Sequence, residues 1–166
     1  MSAGLLNARI TKKITFAAAA GLAAIAIPSA AQDVGADPTF GDAVLESGFT
    51  PDPYEVEIVS GGNIDASRVS GSCAGYIADA PDFDLYYSSG SFPLYISFEA
   101  SEDTTLVINL PDGSWVCDDD DGPGTDPMVY LSNPQSGLYD IWVGSYDEDE
   151  RARGTLHISE IHNPND

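Results

Sequence analysis

"TTLVINLPDGSWVCDDDDG", Thr104 to Gly122, decides the fold. Leu106, Ile108 and Leu110 alternate with Thr105, Val107 and Asn109. That period of two turns one side of a strand toward a core and the other outward. "PDGS" (111–114) then crowds Pro, Asp and Gly into one turn, and "SWVC" resumes an extended run. Two extended runs joined by so short a turn read as a hairpin. The four aspartates that follow Cys117 therefore stand at the open end of that hairpin, where the strand before the turn also begins.

The same period recurs on both sides of this stretch. "YEVEIV" (54–59), "FDLYY" (83–87), "PLYISFE" (93–99), "MVYL" (128–131), "LYDIWVGSY" (138–146) and "TLHISEI" (155–161) are all short, apolar at every second position or nearly so, and bounded by turn residues. The turns are "SGGN" (60–63), "SSGS" (88–91), "DGPG" (121–124), "NPQSG" (133–137) and "DEDE" (147–150). No helical period of useful length follows residue 31. The expectation is a single antiparallel β-sandwich of about eight strands over residues 54–162. Residues 32–53, rich in Gly, Pro and acids and without a sustained period, read as a flexible acidic linker.

Residues 1–31 read as a leader rather than as part of the fold. Arg9, Lys12 and Lys13 precede an apolar run from Ile14 to Ile27, and "SAAQ" offers small residues for cleavage after Ala31. This is the pattern of a secretory signal peptide. The apolar run is shorter than the 18 or so residues of a membrane span. The expected location is periplasmic or secreted, with no membrane insertion after cleavage.

The full chain has 6 Lys+Arg against 27 Asp+Glu. Without the leader it keeps only Arg68, Arg151 and Arg153 against all 27 acids, a formal charge of −24. That balance excludes a nucleic-acid partner, whose phosphates need Lys and Arg, and docking on anionic lipid. It fits solubility or cation binding, and only clustering separates the two. Cys73 and Cys117, an even count in an exported chain, read as a disulfide.

"PDFDLYY" (81–87), "PLYISFEASEDTTLVINLPDGSWVCDDDDGPGTDP" (93–127) and "PQSGLYDIWVGSYDE" (134–148) together resemble the bacterial pre-peptidase C-terminal domain family. The likeness lies in an Asp-rich strand start, an Asp-Gly turn, an acidic pair after the next strand and a Gly-x-Tyr-x-Ile-x-Val strand, and it covers most of residues 54–161. It implies a jelly-roll-like β-sandwich accessory domain, of a kind that binds calcium at one end in some relatives and polymers in others. Three departures stand out. No peptidase-like stretch is expected within these 166 residues, Thr105 stands where many relatives have a second aspartate after the position of Asp103, and the Cys73–Cys117 pair is not general to the family.

A run of aspartates bent through a Gly-rich turn brings carboxylates from both strand faces together. They then repel unless a cation offsets them or some take up protons. Calcium suits such a place, since it takes about 6–8 oxygen ligands in flexible geometry. The hairpin brings Asp103 to the same end as Asp119, Asp120 and Asp121, and Asp126 lies just beyond the turn. Asp103, Asp118, Asp119, Asp120, Asp121 and Asp126 are accordingly the expected metal ligands, with Ca2+ the expected ion. An EF-hand loop does not fit: with Gly122 at its sixth position, Cys117 falls at the first and Met128 at the twelfth. Zinc is the weaker expectation, because only His157 and His162 are available once the cysteines pair.

No enzyme is expected. His157 sits between Leu156 and Ile158 and so points outward as an ordinary surface residue, His162 lies in the tail, and no Gly-x-Ser-x-Gly occurs. The alternative to ion binding is a metal-independent adhesion module for a surface polymer or a partner protein. Trp142, between Ile141 and Val143, is its best binding-surface residue, because alternation turns it away from the core.

Overall fold

The computed structural model describes residues 32–166 together with Met1; the leader read at residues 1–31 otherwise lies outside the described residues. Among the described residues eleven strands form two sheets, and the one helical element is a 3-10 turn at Ala66–Arg68. One sheet holds β2 (Tyr54–Val59), β11 (Arg153–Ser159), β6 (Leu94–Glu99) and β9 (Met128–Leu131), in that order and antiparallel throughout. The other is built on the nine-residue β10 (Gly137–Ser145). β10 pairs with β5 (Phe83–Ser88), with β7 (Thr104–Asn109) and, at Ser145, with β4 (Tyr76–Ile77). β8 (Trp115–Asp118) extends the sheet beyond β7, and β3 (Ile64–Asp65) pairs with β4.

The expected β-sandwich is what forms, with eleven strands where about eight were expected and with one parallel pair. That pair comes from residues 32–53. The segment is not a flexible linker throughout, because Asp42–Glu46 form β1 and run parallel to β5. Ala43 and Leu45 are buried in the main core while Asp42, Val44 and Glu46 are exposed. Two inward residues are too few to announce a strand by period, and the parallel partner lies some forty residues on, beyond the reach of local pattern.

The main core lies between the sheets. Leu85, Leu106, Ile108 and Ile141 from one sheet meet Ile58, Ile96, Phe98 and Leu156 from the other, all eight fully buried. The expected hairpin forms from β7 and β8, with Asn109 opposite Trp115 and Leu106 opposite Asp118. Its turn needs a left-handed residue, and Gly113 supplies it at φ 81°.

A second apolar cluster sits on the outer face of the β10 sheet. Trp142, Val107 and Cys117, side by side on neighbouring strands, are roofed by residues 64–77, from which Ala66, Cys73 and Ile77 are buried. The disulfide Cys73–Cys117 pins that roof to the sheet, with a Cα–Cα distance of 5.2 Å. Trp142 is therefore not a binding-surface residue. Alternation does turn it away from Ile141 and Val143, but the face it turns to is covered, and Trp142 is fully buried against Trp115 at 5.3 Å between ring centroids.

Candidate functional site

The six aspartates expected to hold one ion divide into three groups. Asp103, just before β7, has one carboxylate oxygen buried without a hydrogen-bond partner. Burial pushes its carboxyl up, and the charges of Asp120 and Asp119, then of Asp147 and Glu150, push it further. Asp119 is raised by burial and by Asp120 and Asp118. These three aspartates thus form an acidic rim, joined by the "DEDE" turn, whose neighbour Tyr146 donates its N–H to the Asp103 carbonyl at 3.1 Å. Asp118 does other work. One of its oxygens accepts the N–H groups of Asp121 at 3.0 Å and Met128 at 2.8 Å, so it ties the acidic loop to the start of β9. Asp121, exposed, is raised mainly by the charge of Asp118. Asp126 turns away to the other sheet, where its Oδ1 accepts the Ala100 N–H at 3.2 Å.

A second set of carboxylates, two of them deeply buried and none among those six, lies elsewhere on the β10 sheet. Asp42, Asp84 and Asp140 are direct neighbours in register across β1, β5 and β10. Each precedes or follows residues aimed at the core, so all three point to the outer face of the sheet. There the chain from Gln32 to Phe40 folds across them. Its backbone is tied down by Asp33 N–H to Asp79 O at 3.2 Å, Thr39 N–H to Pro81 O at 2.9 Å and Phe40 N–H to Asp82 O at 2.8 Å. The cover leaves Asp84 7% and Asp140 4% exposed.

Two adjacent carboxylates so deeply covered are electrostatically costly unless something offsets them. Each has one oxygen buried without a hydrogen-bond partner. Burial, then the charges of Asp140 and Asp42, a carboxyl–carboxylate hydrogen bond to Asp140 and the charge of Asp37, push the Asp84 carboxyl up to about 6. Burial likewise raises Asp140, against the hydrogen bond from Asp84, which lowers it. Nearby Asp82, 3% exposed, is pushed up to about 7 by burial although the Val143 N–H donates to it at 2.7 Å. Beside the row a cleft of about 360 Å³ opens, lined by residues 34–38 with Asp42, Asp84, Tyr86 and Leu138. Among the described residues the ion pairs are those of His157 with Glu55 and Glu99, so no arginine neutralises this row.

The sequence carried a partial signal for these residues. "FDL" and "YDI" each set one aspartate between two core positions on strands whose other outward residues are neutral. The third member, Asp42, lay in the stretch read as linker, so the row could not be assembled.

Among the described residues no three Asp, Glu, His or Cys side chains are already gathered as a ready-made metal-ligand group. No helix of the described residues is long and apolar enough to cross a membrane. Comparison of the chain with protein-family models finds no match, and comparison with curated proteins finds none.

Proposed function

We propose that this chain is an exported, non-catalytic β-sandwich module, similar to the pre-peptidase C-terminal domains, that binds calcium or a comparable hard cation. The observation that carries the reading is the Asp84–Asp140 pair, two aspartates over nine-tenths buried, each with an unpartnered oxygen and with only further acids pressing on Asp84. A hard divalent cation turns that repulsion into attraction and takes up the unpartnered oxygens. Asp84, Asp140 and Asp42 supply the first oxygens, and Asp37, backbone carbonyls of residues 34–38 and water complete the shell. Because Asp42 belongs to β1 and residues 32–40 cover the row, the ion would fasten the N-terminal segment to the sandwich. Export is supported by the disulfide, which persists in oxidising compartments.

The Asp-rich loop is a second place for a hard cation, favoured by the buried unpartnered oxygen of Asp103 beside Asp119 and Asp120. Thermal unfolding with chelator and with added calcium, together with native mass spectrometry of the mature chain, tests both. Calcium is expected to raise the melting temperature, since a ligand bound only by the folded state stabilises it. Asp84→Asn with Asp140→Asn should abolish the response, while Asp103→Asn with Asp120→Asn should remove at most a second, weaker phase. An identical melt with calcium and with chelator refutes the proposal.

A further inference from the structure

The two histidines, one in β11 and one in the tail, line the same cavity of about 230 Å³ on the outer face of the β2–β11–β6–β9 sheet. The floor is His157 and Ser97, partners in register, with Glu99 beside them. The roof comes from two segments. After β11 the Ser159 hydroxyl accepts the N–H groups of Ile161 at 3.2 Å and His162 at 2.8 Å, which turns the tail back over the sheet. The Asn165 side chain then donates to the Asp121 carbonyl at 2.7 Å, fastening the tail to the acidic loop that contributes Asp126.

His157 is the unusual member. Its side chain is 19% exposed, and both ring nitrogens are buried without a hydrogen-bond partner. Buried polar groups are rarely left so, because the loss of hydration is not recovered. Nδ1 lies 3.6 Å from a Glu55 oxygen and Nε2 lies 3.6 Å from a Glu99 oxygen. Tetrahedral zinc holds nitrogen and carboxylate oxygen at about 2.0–2.2 Å, which sets two of its ligand atoms roughly 3.4 Å apart. The Nε2–Glu99 separation is close to that edge. Glu55, 3.6 Å from the other nitrogen, needs only a small side-chain shift to make the hydrogen bond by which a carboxylate orients a metal-bound imidazole.

We infer that this cavity is a site for a borderline divalent metal ion of the zinc class, held by His157 Nε2 and Glu99 and closed by His162 and Asp126 as their side chains turn inward. Mixed imidazole and carboxylate donors favour such an ion over calcium, which prefers oxygen alone. The site shares no ligand with the aspartate row or with the Asp103 rim, so either function can fail without the other.

The test is Zn2+ titration of the mature protein against a chromophoric chelator in excess calcium, with Co2+ absorption as a second probe of tetrahedral coordination. One equivalent is expected, with the intense visible bands of four-coordinate Co2+. His157→Gln and His162→Gln should each weaken binding at least tenfold, and Glu55→Gln about tenfold through the imidazole it orients. Circular dichroism and the calcium melt, unchanged in each variant, establish that the fold is intact. Zinc held equally well by the His157→Gln/His162→Gln double variant, or no Zn2+ or Co2+ taken up by the wild type, overturns the inference. In the latter case His157 serves only to pack between Glu55 and Glu99.

Discussion

Replacing Asp84 by Asn should stabilise the ion-free protein and remove its response to calcium. In the native fold the Asp84 carboxyl is pushed up to about 6, from an ordinary 3.8, by burial and by the acids around it. Between those two values the folded state keeps a proton that the unfolded chain has released. Stability therefore falls as pH rises through that window and stays at the lower level above it. The rise corresponds to roughly 3 kcal/mol at about 1.36 kcal/mol per pH unit. Solvent in the adjoining cleft screens part of this, leaving about 1–2 kcal/mol above pH 6. In the Asp84→Asn variant the amide keeps the shape, carries no charge and can donate to the unpartnered oxygen of Asp140. Urea unfolding in chelator, followed by tryptophan fluorescence, should show the variant more stable by about 1–2 kcal/mol at about pH 7.5. At about pH 4 the advantage should nearly vanish, since the wild-type carboxyl is then protonated in the fold. Other carboxyls raised by burial, Asp82 and Asp103 among them, titrate in both proteins and cancel in the difference. With calcium the order should invert, because only the wild type gains an ion. A variant less stable than wild type in chelator at about pH 7.5, or one whose advantage persists undiminished at about pH 4, would refute the electrostatic account.

Asp118→Ala should cost about 1–3 kcal/mol with or without calcium, because it leaves the Asp121 and Met128 N–H groups without their carboxylate acceptor; a loss seen only with calcium would instead make Asp118 a ligand. The Cys73→Ser/Cys117→Ser variant should lose about 3–4 kcal/mol in denaturant unfolding, as expected for opening a loop of this separation, and hydrogen exchange should rise first in residues 64–77. Trp142→Ala should destabilise by about 3–5 kcal/mol and bind any surface polymer no worse once refolded, since the side chain is wholly inside; selective loss of polymer capture with unchanged stability contradicts that placement.

β2, β5, β6, β7, β10 and β11 were legible because each sets its core-facing apolar residues at every second position along a strand of six or more residues, and the β7–β8 hairpin because its turn chemistry marks it. β1, β3 and β4 were not. Two of them are two residues long, and β1 owes its pairing to a parallel neighbour far along the chain. Of the acidic site the sequence disclosed the run after Cys117, where four like charges are contiguous. It could not disclose that Asp118 and Asp126 would be taken up by backbone N–H groups, since those partners are set by where β6 ends and β9 begins.

Period-two alternation assigns a side chain to one face of a strand, but it does not tell whether that face is wet. Asp140 and Trp142 make the distinction concrete. They lie two residues apart on the same outward side of β10, and both are buried, at 4% and 0% exposure. Different segments cover them. The roof over Trp142 is apolar and crosslinked, so the tryptophan gains from burial what any core residue gains. The cover over Asp140 is residues 32–40, and it encloses a second aspartate without a compensating cation from the chain. The apolar cover explains itself by the area it removes from water. The acidic one does not, since burying Asp84 beside Asp140 raises the free energy of the ionised fold, and a chain with a net charge of −21 has few cations to spend there. That asymmetry between two covers on one strand face is the physical reason to look for a cation at the aspartate row rather than only at the more conspicuous run of four.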